Sequence, residues 1–480
     1  MVRASIPNNV NLDMTSASGL FLDHYQDQFR QWWDDVVPSE FREVPMYLRC
    51  PVGCDRAGWA DFRFVKPGEY RWGLFQTPMT ERQIRFGDRA GESVWQTVPE
   101  EHRDLLLKHI RVQADAEPGS VEQSANLARC APSNYDLRNL YQFLLEEGRH
   151  LWAMVHVLVE HFGQAGEDEG HALLHRSCGS DSDPRLLDAF NHSIDEWLSY
   201  FIWCVLADRD GKYQLSTVSH GAFDPLARTA AFMLFEEPFH LSIGTQGIER
   251  VLRRSAELMQ QHDSEDIFEH GGIPLAVIQK YLNYWSPRVL DLFGNDESRR
   301  AREAFEAGIR ARPYEPSCSD HDGQSEQLMV DRRDGDVLNQ VQVLEVDALN
   351  TAMRRRFVEE VQVVIRRWNR ILDAHHIDTR IYLAHERFNR HIGPAKNLHF
   401  DPQGQAISAE QAQQQQSSWL PSDDDRRRLK SLMQQELRPD HYASWIAPPT
   451  VAINNKPLAG FAYVKTADTA SENTVEVPHA

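Results

Sequence analysis

Long apolar runs are missing from this 480-residue chain, and the longest, WLSYFIWCVLA at 197–207, is too short to span a bilayer. A basic excess is missing too. Lys and Arg total 51 against 71 Asp and Glu, a net charge of −20. That balance argues against nucleic acid or an anionic membrane as partner, while local basic clusters still suit a small phosphate-bearing ligand. Cysteine is sparse: residues 50, 54, 130, 178, 204 and 318 show no disulfide framework, and the Cys50/Cys54 pair has no second pair to complete a zinc site. There is no Gly-x-Gly-x-x-Gly nucleotide fingerprint and no Cys cluster for an iron–sulfur centre. The opening residues, MVRASIPNNVNLDMTS, lack the apolar core of a signal peptide, so the expectation is a cytoplasmic protein with reduced thiols.

What remains is mainly helical patterning, sufficient for two or three structural units. Residues 1–95 read as an N-terminal extension, with a helix around HYQDQFRQWWDDVV and then a Pro/Gly-punctuated segment of turns and short strands. Residues 96–312 read as a helical bundle. Within it Ser133 and Asp136 resemble a capping box, Asp183-Pro184 looks like a helix start, and Gly163 and SHGAFDP at 219–225 are breaks. Residues 313–480 hold an acidic loop, a helix over 345–373, a mixed region with the Gln-rich stretch AEQAQQQQSSW, and a polar tail expected to be disordered.

A Glu stands three residues before a His at three places: Glu147/His150, Glu237/His240 and Glu476/His479. The last lies in the polar tail. The first two sit on apolar helical stripes: Leu140, Phe143, Leu144, Leu151 and Met154 surround one, and Ala230, Met233, Leu234 and Leu241 the other. Burial there is costly for charge. Glu117 lies 30 residues before Glu147, and Asp208 lies 29 before Glu237, each with a chain break midway. Antiparallel helices of about 15 residues, roughly 22 Å long, bring each carboxylate level with its Glu-x-x-His. The pattern is that of a di-iron or di-manganese carboxylate bundle, in which four carboxylates neutralise two divalent ions. A helical core whose buried acids pair with arginines is the competing explanation, but only Arg149 is at hand. Glu146 and Glu236 precede the ligand glutamates, as acids would if each held a histidine N–H. Pro118 and Pro238 follow proposed ligands inside helix and distort it. His171/His175 and HERFNRH at 385–391 lack the surroundings of a second metal site. The mass beyond the bundle suggests a substrate cavity, hence an oxygenase over a ferritin-like store.

LYQFLLEEGRHLWAMVHVLVEHFG, FEEPFHLSIGTQGIERVL, EHGGIPLAVIQKYLNYWSPRVLDLFG and ERFNRHIG resemble the oxygenase components of the benzoyl-CoA 2,3-epoxidase family, over about residues 20–465. The resemblance implies a ferritin-like class I di-iron monooxygenase that converts benzoyl-CoA and O2 to 2,3-epoxy-2,3-dihydrobenzoyl-CoA, in aerobic benzoate degradation. NADPH, FAD and iron–sulfur clusters belong to a separate reductase. The family's two-iron ligand positions fall on Glu117, Glu147, His150, Asp208, Glu237 and His240. Many bundle oxygenases carry a Thr one turn after the fourth carboxylate; here Lys212 stands there, leaving the proton-delivery group unassigned. Arg387, Arg390 and Lys396, interleaved with Phe388, are the cations expected near CoA phosphates. Alternatives are a di-iron hydroxylase of another acyl-CoA, a non-catalytic metal store or a helical scaffold.

Overall fold

A computed structural model describes residues 13, 15–38, 77–323, 326–434 and 442–450. Cys50/Cys54, the punctuated segment at 51–73, Glu476/His479 and the polar tail lie outside them. Four long helices form the bundle: α2 (Arg103–Ser124), α3 (Asn134–Phe162), α5 (Trp197–Ser219) and α7 (Glu237–His262). α2 packs on α3 and α5 on α7. Around them stand α1 (Ala17–Val36), α4 (Gln164–His175), α6 (Asp224–Met233), α8 (Leu275–Leu292), α9 (Arg299–Glu306), α10 (Leu349–Ala374), α11 (Ala409–Trp419) and α12 (Asp423–Met433). The fold is mainly α and ferritin-like, and no described helix is long and apolar enough to cross a membrane.

Local chemistry accounts for the element ends. Ser133 Oγ accepts from the Asp136 N–H at 3.2 Å and donates to Asp136 Oδ2 at 2.6 Å, capping α3. Gly163, at φ +56°, stops it where a side chain would be strained. Pro118 stays within α2, as expected. Pro238 does not interrupt a helix. The chain turns at Leu234–Glu236 and α7 begins at Glu237, where a missing N–H costs nothing. Asp183-Pro184 starts no helix either. Pro184 sits in a bridge with Ser177, and buried Arg185 holds the loop through Asp115 at 3.2 Å and Glu122 at 2.6 Å. The Gln-rich stretch is helical, fixed by a Ser408/Gln411 capping box.

Two glycines bring the ligand helices of the second half into backbone contact. An added Cβ on Gly244 would meet Val205 N at 2.6 Å, and one on Gly247 would strike the Phe201 ring. A hairpin, β1 (Gln327–Asp334) and β2 (Val337–Leu344), pairs antiparallel through a Gly335-Asp336 turn with Gly335 at φ +60°. One continuous apolar cluster runs from Leu22 through the bundle and α10 to Ile446.

Candidate metal centre

α2 carries Glu117, α3 carries Glu147 and His150, α5 carries Asp208, and α7 carries Glu237 and His240. All six are buried. Ligand atoms of Glu117, Glu147 and His150 lie within 4.8 Å of one another, as do those of Glu147, Asp208 and His240. Glu147 therefore belongs to both groups. Glu237 Oε2 stands 4.0 Å from His240 Nδ1 at the edge of the second.

The two acids beside the ligands cross between the halves. His240 Nε2 donates to Glu146 Oε2 at 2.9 Å, and His150 Nε2 donates to Glu236 Oε2 at 3.0 Å. Gln142 steadies Glu146 at 2.8 Å, and Arg149 pairs with Glu236. Arg149 thus serves an outer acid, not a ligand. Both imidazoles are left with Nδ1 facing the acids. His150 Nδ1 is 3.3 Å from Glu117 Oε2 and His240 Nδ1 is 3.2 Å from Glu147 Oε1, yet neither nitrogen is aligned for a hydrogen bond.

Crowding shifts the acidities of these buried groups. Burial, then repulsion from Glu117, Asp208 and Glu237, raises Glu147 well above the usual carboxylate range. Burial likewise raises Asp208 to about 7 and Glu237 to about 8, although neighbouring histidines oppose it. Burial would lower the imidazoles, but their carboxylate partners outweigh it, raising His150 to about 10 and His240 to about 9. Glu236 moves the other way: Arg149 and His150 overcome burial and hold it well below the usual range.

These features fit two divalent ions. His150 Nδ1, His240 Nδ1, Asp208 Oδ2 and Glu237 Oε2 are buried atoms with no hydrogen-bond partner. Four carboxylates and two imidazoles form an oxygen-rich set suited to iron or manganese. Cys204, one turn before Asp208, is kept a neutral thiol by burial and the nearby acid.

Two of the three cations expected near CoA phosphates are paired with acids. Arg387 forks onto Asp331 at 2.6 and 2.7 Å, Arg390 is buried against Asp291, and Lys396 is exposed. Lys212 is tied to Glu360 at 2.7 Å. The spacing analysis missed Gln113, whose amide donates to Glu117 Oε1 at 3.2 Å and which lines a cleft of about 920 Å³. Its place one turn before a ligand was the available signal.

Fold and site together define a ferritin-like bundle with a buried carboxylate–imidazole centre. No family model matches the chain. It is 43% identical over 465 residues to the benzoyl-CoA oxygenase component B of Aromatoleum evansii, covering 96% of this chain and 98% of that protein. The chain belongs to the benzoyl-CoA oxygenase component B family. It is an oxygenase component, hence an oxidoreductase.

Proposed function

We propose that this protein holds two iron ions and epoxidises the ring of benzoyl-CoA at the 2,3 position, in the cytoplasm. The balanced reaction takes benzoyl-CoA, O2, NADPH and a proton to 2,3-epoxy-2,3-dihydrobenzoyl-CoA, NADP⁺ and water. Electrons come through a separate flavin and iron–sulfur reductase; the relative's designation as a component supports such a partner.

The observation that carries this reading is the outward anchoring of both imidazoles. With each Nε2 bound to an outer acid, His150 Nδ1 faces Glu117 and His240 Nδ1 faces Glu147 and Glu237. Glu117, Glu147 and His150 would hold one iron, Asp208, Glu237 and His240 the other, with Glu147 shared. Bound iron supplies O2 reduction and oxygen transfer to the ring. The chain itself keeps the imidazoles in the metal-binding tautomer, balances the ions with four carboxylates, and excludes water with Phe143, whose ring centre lies 4.7 Å from that of His240. The test is iron analysis combined with NADPH-dependent turnover of benzoyl-CoA in the presence of the reductase. Absence of iron with full turnover, or iron without turnover of any CoA ester, overturns the assignment.

A further inference from the structure

Oxidisable side chains form a column from the carboxylate centre to the edge of the molecule. Trp197, Tyr200, Cys204 and the ligand Asp208 recur at intervals of three, four and four residues, on one face of α5. All are buried. The Tyr200 ring centre lies 5.2 Å from that of Trp197 and 5.6 Å from that of Phe143, which itself stands against His240. Beyond Trp197 the column crosses to the short turn Ala125–Cys130 that follows α2. Trp197 Nε1 donates to the Leu127 carbonyl oxygen at 3.1 Å, and the Cys130 thiol donates to the same oxygen at 3.6 Å. Cys130 is only half-buried, so the column ends at solvent.

Packing alone does not account for this arrangement. The Tyr200 hydroxyl is enclosed without an aligned hydrogen bond, a cost that phenylalanine would avoid in the same space. The ionisable groups that bear on it are Cys204, Asp208 and Glu147, so the phenol addresses the centre. The Cys204 thiol interacts with both Tyr200 and Asp208 and joins them.

Resting on the function proposed above, we infer that Cys204, Tyr200, Trp197 and Cys130 form an electron outlet, through which a small external thiol discharges the centre when O2 is reduced with no substrate ring in place. The chemistry balances. In epoxidation NADPH supplies two electrons, one oxygen atom leaves as water and the ring takes up the other. Without a ring, that second atom needs two electrons and two protons. Tyr200 yields the first electron with its phenolic proton, Trp197 refills Tyr200, and Cys130 refills Trp197. The Cys130 sulfur radical then bonds to an external thiolate, and the second electron leaves along the same path as the S–S bond forms. Exchange with another thiol frees Cys130. The sum is O2 + NADPH + H⁺ + 2 RSH → NADP⁺ + 2 H2O + RSSR, with the thiol protons ending in water.

The test exposes iron-loaded protein, reduced beforehand with dithionite, to O2 without any CoA ester, and reads freeze-quenched electron paramagnetic resonance. A tyrosyl radical should appear in the wild type and be lost in Tyr200→Phe. It should outlive the wild-type signal several-fold in Trp197→Phe and in Cys130→Ser. With cysteamine present, mass spectrometry should find a mixed disulfide at Cys130 in the wild type and not in Trp197→Phe. Thermal melting checks each fold, and Cys130→Ser, at a half-buried position, carries the test if Trp197→Phe does not fold. Turnover of benzoyl-CoA with reductase should be the same in all variants, because the ring takes the oxygen before the outlet is used. Absence of any organic radical, a tyrosyl radical retained in Tyr200→Phe, or unchanged decay in Cys130→Ser overturns the outlet and leaves the proposed function standing. Failure of the wild type to bind iron overturns that function and this inference with it.

Discussion

Glu146 and His240 sit 94 residues apart, on helices from opposite halves of the bundle, yet meet at 2.9 Å through Oε2 and Nε2. The reciprocal pair, Glu236 with His150, makes the crossing symmetric. Each half of the molecule thus orients the imidazole of the other, and neither half is complete alone.

Metal content is the first consequence. Purified protein should carry about two irons per chain, as six ligands of this kind imply. Glu147→Ala removes the carboxylate common to both groups and should deplete both ions; His240→Ala should deplete one. Plasma-emission analysis reads the stoichiometry, and full occupancy in both variants contradicts the site.

The crossing makes a more pointed prediction. Glu146→Gln alters an acid on α3, but its effect should fall on the ion next to His240 on α7, weakening it about 10- to 100-fold. Glu236→Gln should act on the ion beside His150. Cobalt-substituted protein distinguishes the two ions spectroscopically. A loss confined to the variant acid's own half would show that the crossed bonds do not orient the ligands.

Acidity follows from the same crowding. In metal-free protein Glu147, Asp208 and Glu237, with His150 and His240, are all raised above their ordinary values. Folded protein then binds more protons than the unfolded chain, so these groups stabilise it in mild acid and lose that contribution as pH rises. The loss begins near pH 4 for the carboxylates and continues past their folded values of about 7 and 8. Thermal melts should show the gap between iron-loaded and metal-free protein widening from about pH 5 to pH 8. A constant gap means the acids do not share one buried site.

Electron supply is testable without the structure of the partner. With no nucleotide fingerprint and no Cys cluster, the chain alone should not oxidise NADPH, and turnover should appear only on adding a reductase. Sustained NADPH oxidation by the isolated chain contradicts this.

Helix approach gives a stability test away from the ligands. Gly247→Ala places a Cβ against the Phe201 ring and should cost about 1–3 kcal/mol, lowering the melting temperature by several degrees. An unchanged melt means that α5 and α7 are not held in contact there.

Much of this centre was legible in one dimension because helix geometry is periodic. Glu117, Glu147, Asp208 and Glu237 could be placed at one level from spacing, breaks and apolar stripes alone. The crossing was not legible: nothing in the spacing says whether Glu146 turns to His150 on its own helix or to His240 opposite. The helix start expected at Asp183-Pro184 failed because buried Arg185, paired with Asp115 and Glu122 from α2, governs that loop. Apolar periodicity continues across the turn at Leu234–Glu236, so it places Pro238 inside a helix rather than at its start. The Gly335-Asp336 turn signal lies in a region of mixed pattern, where it does not stand out. The ion pairs of Arg387 and Arg390 were not legible because Asp331 and Asp291 are distant in sequence.

The interlocked imidazoles also set an order of assembly. Until α3 and α7 have docked, neither histidine has the acceptor that fixes its ring, so no single helical hairpin can present a finished ligand set to metal. A complete ligand set therefore requires that long-range contact. The centre should mature as one unit, and a chain cut between the halves should gain metal only when both fragments are present together.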